Sequence, residues 1–200
     1  MIIGITGGIA SGKSTAAKTL GDWGAHVIDA DKLGHRAYLA GTPAFDQVVA
    51  TFGADTVGED GEIDRRILGS KVFGQPERLK ALTDIVWPAI RSMAQTEIAE
   101  VQKTHPQQIV VLEAAVLIEA GWQDLVDTLW VCVVDREIAV ARACARDGLE
   151  PSAVEARIDA QLSNAERIAA ADVVIDNSGE PADMRNQLQQ LWKQTGAAKQ

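Results

Sequence analysis

The sequence has little of what staples, coats or anchors a protein. It has two cysteines in 200 residues, Cys132 and Cys144, with no metal-type or redox-type spacing between them. That excludes a disulfide framework and a zinc module, and leaves two reduced residues, one in an expected strand and one in an expected helix. Positive charge is scarce: 19 Lys and Arg stand against 28 Asp and Glu, for a net charge of −9. A general nucleic-acid or membrane-surface binder would show the opposite balance. No apolar run approaches the ~20 residues that a membrane span needs; 109–112 and 128–134 are far too short. No internal repeat or low-complexity tract interrupts the chain. A first core strand that begins at Met1 leaves no room for a signal peptide, so we expect a soluble, cytoplasmic protein. Hydrophobic residues make up 46% and the mean hydropathy is −0.02, which with this length suits one domain with a full core.

What is there begins at once. Gly7-Gly8-Ile9-Ala10-Ser11-Gly12-Lys13-Ser14 fits the phosphate-binding loop G-x-x-x-x-G-K-[ST], directly behind an apolar run, 1–6. The glycines let backbone N–H groups turn toward phosphate oxygens, Lys13 neutralises the β- and γ-phosphates, and Ser14 can offer its hydroxyl to Mg²⁺. A helix expected over 14–20 points its positive end at the same anion. Gly8, Ile9, Ala10, Ser11, Gly12, Lys13, Ser14 and Thr15 are therefore the candidate triphosphate-binding residues. An acidic protein that binds polyphosphate must concentrate its cations locally, so single arginines become informative.

Five short runs read as buried strands: 1–6, 26–29, 108–112, 128–134 and 172–176. Four are rich in Ile and Val with little alternation, as strands covered on both faces are. Helical segments separate them, which predicts an α/β fold with a doubly wound parallel sheet. Nearly all of 32–107 lacks a strand pattern and looks helical over 43–52, 64–73 and 76–104, the last as one helix or as two broken at Pro88. This is more than a crossover needs and reads as an inserted helical subdomain. A second helical, charged excursion, 147–170, opens with Gly148 and Pro151. The tail, 196–200, is expected to fray.

Ligands of such sheets bind at the carboxyl ends of the strands. Asp29 and Asp31 stand where the second strand ends; either could take a proton from an attacking hydroxyl or hold Mg²⁺ through water, or cap the next helix. His35 lies one helical turn beyond Asp31. Glu113 ends the third strand after three Val and Leu residues, an arrangement that supports the metal in phosphate-loop enzymes; Glu119 is weaker evidence. Arg142 and Arg146 are four apart on one expected helix, and Arg157 and Gln161 four apart on another. Phosphoryl transfer needs cations over the transferring group, so these arginines are candidates to touch phosphate. Arg65 and Arg66 open a helix of the insert and could hold an anionic acceptor. Trp87 with Pro88 either walls the acceptor or packs in the core.

With those residues in place, the chain resembles the dephospho-CoA kinase family from end to end. The resemblance rests on Gly4 to Ser14, on Val27-Ile28-Asp29-Ala30-Asp31, and on Asp64-Arg65 with Leu68-Gly69 and Val72-Phe73. It continues in Arg157-Ile158 with Gln161 and in Ala171-Asp172-Val173-Val174-Ile175-Asp176-Asn177. The family has Gly where this chain has Ala10, usually His-Pro at Trp87-Pro88, and Asp-Val-Pro-Leu-Leu-x-Glu where this chain runs from Glu113 to Glu119. The last two variants, with 34–38 and 119–122, are similar to the kinase half of the fused eukaryotic CoA synthase. Beginning at the kinase strand, this chain is expected to carry no upstream adenylyltransferase.

The resemblance implies a P-loop kinase fold: a five-stranded parallel sheet flanked by helices, with a helical substrate-binding insert and a helical lid. One domain would span 1–200, its core 1–32, 98–145 and 168–196, a CoA-binding insert 33–97 and a lid 146–167. It implies transfer of the γ-phosphoryl of ATP to the ribose 3′-hydroxyl of dephospho-CoA, with Mg²⁺ as cofactor and without nucleic-acid or membrane partners. Lys13, Asp31, Arg142 and Arg146 would act in catalysis, and Arg142, Arg157 and Asn177 would join the loop around ATP. Asp31, His35, Arg65, Trp87 and Glu113 would meet the acceptor, while Ser14 with Glu113 or Asp29 through water would serve the metal. A kinase of the same fold acting on another nucleoside, nucleotide or small alcohol is the nearest alternative. A non-catalytic ATP-dependent regulator is the other, and it has no need of the paired carboxylates.

Overall fold

Ile and Val runs become strands because their branched side chains pack well on a pleated surface. In the computed structural model, which describes residues 1–196, five do so: β1 (Ile2–Gly7), β2 (His26–Asp29), β3 (Val110–Glu113), β4 (Thr128–Val133) and β5 (Val173–Asp176). They form one parallel sheet in the order β2-β3-β1-β4-β5. Central β1 pairs Ile5 with Glu113 on one side and with Trp130 on the other. The chain therefore leaves β1 in one direction and later crosses to its other side, and the loop after β1 sits at the place where such sheets bind ligands.

The helices are α1 (Lys13–Asp22), α2 (Ala30–Ala37), α3 (Pro43–Phe52), α4 (Arg65–Val72), α5 (Pro76–Thr104), α6 (Arg136–Asp147), α7 (Pro151–Asp159), α8 (Asn164–Ala170) and α9 (Pro181–Gln194). Ile3, Ile5, Val111, Trp130 and Cys132 of the sheet are buried with Ala16, Ala17 and Leu20 of α1 and with Met184, Leu188 and Trp192 of α9. Each large apolar side chain so buried contributes about 1.5–3 kcal/mol. The small faces of Ala16 and Ala17 let α1 lie close on the sheet, which holds its N-terminus beside the end of β1. Of the tail expected to fray, only Gly196 is among the described residues.

The chain divides into two compact units, Met1–Asp29 with the described residues from Glu100 onward, and Ala30–Ala99. The second unit is helical, with a single isolated bridge, Val57 to Ile63, among its described residues. Its helices start at local signals. Thr42 accepts the Phe45 N–H at 3.1 Å ahead of Pro43, and Asp64 accepts those of Arg66 and Ile67 at 2.8 and 3.1 Å. The two readings of 76–104 resolve into one: α5 runs unbroken through Pro88. Proline removes one backbone hydrogen bond, but Pro88 is exposed while Val86, Ile90, Ala94 and Ile98 continue the buried face past it.

Candidate active site

The phosphate loop is shaped by close approach. A Cβ on Gly7 would collide with Ser11 Oγ and the Cys132 carbonyl, and one on Gly12 with the Asn177 amide. Gly12 also has φ of 91°, in the left-handed region where side chains are strained. Asn177 Nδ2 donates to the Ser11 carbonyl at 3.0 Å, and the Asn177 carbonyl accepts Arg142 Nη1 at 2.9 Å. The loop is thus braced from β5's end before any ligand arrives. No side chain of the Gly12 cap covers the start of α1, the kind of helix start that serves a bound anion. Ala10, where the resembled family has glycine, is the non-glycine residue at positive φ, 56°, among the described residues.

Residues 7–15 line a cavity of about 360 Å³ with Ala115, Arg142, Arg146 and Gln161. Lys13 Nζ lies 3.3 Å from Glu113 Oε1, and the Ser14 hydroxyl donates to the same oxygen. Glu113 is buried at the end of β3, in register with Asp29 at the end of β2. The expected neighbourhood of Lys13, Ser14, Glu113 and Asp29 is therefore one edge of the sheet. Behind it, burial pushes the Cys132 thiol up to about 12; the Glu113 charge adds to this and Lys13 opposes it. A thiol so held is inert.

The arginines divide. Arg142 is half-buried and braced on Asn177, and Arg146 is exposed, its fork on neighbouring Asp147 at 2.7 and 2.8 Å. That pairing raises the Arg146 guanidinium and lowers the Asp147 carboxyl from their ordinary values. Arg157 is exposed on α7 and lines neither this cavity nor the adjoining one of about 430 Å³ under α7 and α8. Asn177 lies behind the loop, not on the cavity wall. Gln161 does not share a helix with Arg157, as the spacing suggested. α7 ends at Asp159, and Gln161 sits in the following turn with its Oε1 on the Ile9 N–H at 3.0 Å.

In the second unit, Asp31 is the second residue of α2 and is exposed, as is His35 one turn on. Arg65, first residue of α4, donates to the His35 carbonyl at 3.3 Å, and its guanidinium lies 5.7 Å from the centre of the Tyr38 ring. Tyr38 was not singled out from the sequence as a contact. Trp87 is half-buried on α5. One more feature escaped the sequence reading. Arg167 of α8, fully buried, donates to Glu119 at 2.8 Å and to the Leu162 carbonyl at 3.2 Å. Arginine at helical spacing ordinarily marks a solvated face, so nothing local separated it from its neighbours.

A divalent cation finds hard oxygen donors in the Ser14 hydroxyl and the Glu113 carboxylate, which already converge on each other. Among the described residues no group of three or more His, Cys, Asp or Glu forms a cage. Mg²⁺ needs none, since it keeps several waters and takes phosphate oxygens. The residues fit it. Among the same residues no helix is long and apolar enough to cross a membrane.

A strand, a braced glycine loop carrying Lys and Ser, and an uncapped helix start, set on a 2-3-1-4-5 parallel sheet, place this chain among the P-loop kinases. The shikimate kinase of Bacteroides thetaiotaomicron shares the fold at 14% identity, with a TM-score of 0.52 over 96% of each chain. The dephospho-CoA kinase family model matches residues 1–183. The Geobacter sulfurreducens dephospho-CoA kinase is 46% identical over 191 residues, 96% of each chain. The crystal structure of a Thermus thermophilus protein superposes with a TM-score of 0.81 at 36% identity over 97% of each chain. The Campylobacter jejuni dephospho-CoA kinase gives 0.74 at 26% identity, covering 100% of this chain and 98% of its own. The chain belongs to the dephospho-CoA kinase family.

Proposed function

We propose that this chain transfers the γ-phosphoryl group of ATP to the ribose 3′-hydroxyl of dephospho-CoA, giving CoA and ADP, the last step of coenzyme A synthesis. The observation that carries it is the family match over residues 1–183 together with a braced phosphate loop whose Lys13 and Ser14 converge on Glu113. The loop from Gly8 to Thr15 cradles the triphosphate. Lys13 leaves Glu113 for the phosphates, and Arg142 or Arg146 covers charge spread over the transferring group, with Arg157 joining when the segment 146–167 closes as a lid and excludes water. Asn177 acts through the loop it braces. Asp31, two residues past β2, orients the acceptor and takes the proton of its 3′-hydroxyl while the bond from the γ-phosphorus to the ADP oxygen breaks. His35, Arg65 and Trp87 hold the acceptor, with 33–97 as the insert that binds it. Ser14, with Glu113 or Asp29 through water, would hold Mg²⁺, which when bound neutralises charge on the phosphates. The reaction belongs in the cytoplasm, where both substrates are soluble.

The test offers the protein Mg²⁺-ATP with dephospho-CoA, adenosine, AMP, CMP or phosphopantetheine and follows ADP release. Dephospho-CoA should lead by orders of magnitude, and NMR of the product should show phosphate at the 3′ position alone. Turnover of a simple nucleotide with none of dephospho-CoA would refute the assignment. Asp31→Asn should keep ATP affinity and lose about 10² in kcat, the low end for a general base because the transition state is loose. Full turnover in that variant would move the role to Asp29.

A further inference from the structure

The Gln161 amide has a task that the phosphate-loop pattern leaves out. It comes from the turn after α7, yet its Oε1 accepts the N–H of Ile9, the third residue of the loop, at 3.0 Å. A backbone N–H can only donate, so the amide atom that faces it is the oxygen. The amide is planar and rigid, which leaves the NH₂ group as its donating end. Gln161 also lines the cavity that holds Lys13, Arg142 and Arg146. Its turn is pinned: the Gln161 N–H donates to the Ile158 carbonyl at 3.0 Å, and Asn164 Nδ2 to the Val134 carbonyl, at the end of β4, at 2.9 Å.

Residue chemistry narrows what the position is for. Arg or Lys would bring a donor but no acceptor for Ile9, and Glu would bring the acceptor but set a negative charge beside the phosphates. Gln alone of these offers one acceptor and one uncharged donor on a single fixed plane. The cations around it are engaged with carboxylates or carbonyls before ligand arrives, Lys13 with Glu113, Arg146 with Asp147 and Arg142 with Asn177. A donor oriented by the loop backbone needs no such exchange.

We propose that Gln161 is a phosphate-contacting residue of the reaction above, on which this inference rests: the Ile9 N–H fixes Oε1, and Nε2 donates to an oxygen of the bound triphosphate. The residue thereby joins the segment after α7 to the loop through one amide.

The test uses the full-length protein and two variants, Gln161→Glu and Gln161→Met, with Mg²⁺-ATP affinity by calorimetry, ADP release with dephospho-CoA, and thermal melting. Gln161→Glu keeps the acceptor and should weaken ATP binding about tenfold near neutral pH, the scale of one hydrogen bond to a charged group. As pH falls through about 4, the ordinary glutamate value, its carboxyl gains a proton and becomes a neutral donor, so its ATP affinity and rate relative to the unsubstituted chain should recover. Gln161→Met, with neither donor nor acceptor, should bind ATP as weakly and show no recovery. Undiminished ATP affinity in Gln161→Glu at every pH would overturn the proposal and leave Gln161 a brace for the loop. Tighter ATP binding in Gln161→Met would also overturn it, making the amide a latch that phosphate displaces. The ATP arm reads out without any acceptor, so failure of the dephospho-CoA assignment is seen separately, in the turnover of the unsubstituted chain.

Discussion

The phosphate loop and the segment from α7 through α8 meet at the Gln161 amide and are held by opposite means. The loop is fixed through its backbone: Gly7 against Cys132, Gly12 in the left-handed region against Asn177, the Ser11 carbonyl on the Asn177 amide. The segment is held by side chains. Arg136 grips Asp159 at 2.6 and 3.1 Å in the open, and Arg167 is buried against Glu119. Backbone contacts of this kind have no second arrangement of similar energy, whereas exposed ion pairs in water are weak and exchange partners readily. A site that must be preorganised for phosphate yet admit and release nucleotide gains from having both.

The contrast breaks hardest at the buried pair of Arg167 and Glu119. Glu119→Ala leaves the Arg167 guanidinium buried without its carboxylate and should cost about 3 kcal/mol or more of stability. Replacing both residues, Glu119→Leu with Arg167→Met, should recover most of that, because an apolar pair needs no compensation. Urea unfolding of the single and double variants checks this; equal losses in both would show that the pair does not act as a unit.

Lys13→Ala probes the loop's chemistry without its scaffold. Loss of a charge stabiliser costs about 10²–10³ in kcat, while the variant should still fold and melt cooperatively, at a temperature lowered only by the loss of the ammonium beside buried Glu113. Activity within a few-fold of the unsubstituted chain would displace the triphosphate from this cavity. Ala10→Gly sharpens the claim that the loop is held rather than relaxed. Relief of left-handed strain, roughly 1 kcal/mol, works against the greater freedom glycine gives the unfolded chain, about 0.4–1 kcal/mol. Stability should therefore change by less than about 1 kcal/mol and ATP affinity by less than about twofold.

The smallest effect belongs to the exposed pair. Arg136 beside Asp159 holds that carboxyl below its ordinary range, first by hydrogen bonding and then by charge. A lowered folded pKa means that the contribution is complete above the ordinary carboxylate value, about 4, and is lost as pH falls through the lowered one. Hydrogen exchange in α7, corrected for its intrinsic pH dependence, should stay level from pH 7 to about 4 and quicken below. The loop and α1 should show no matching change. Quickening in both together would mean that the two regions are not held separately.

Much of this was legible without coordinates, for identifiable reasons. The strands were legible because parallel strands covered on both faces need unbroken Ile and Val, as in Val110, Val111 and Leu112. The cradle was legible because its glycines, Lys13 and Ser14 are neighbours in the chain and each has a task only that residue type can do. The continuity of α5 was not legible: Pro88 breaks a helix by local rules, and the buried face that carries the helix past it outweighs the one lost hydrogen bond. Nor were the different fates of Arg142, Arg146, Arg157 and Arg167, since a four-residue spacing says which arginines share a face but not which element covers it.

Sequence alone pointed to the α/β class, the first strand and its loop, a helical insertion and a resemblance to the family, because these rest on short-range patterns and on residue types with one chemical use. Tertiary structure decided that Glu113 meets Lys13 and Ser14 from a hundred residues away, that Asn177 serves the loop from behind, that Arg167 is buried, and that Gln161 reaches Ile9. Those are pairings across the fold, and a pairing depends on where the sheet order and the ends of helices bring two side chains. Neither residue carries that information by itself.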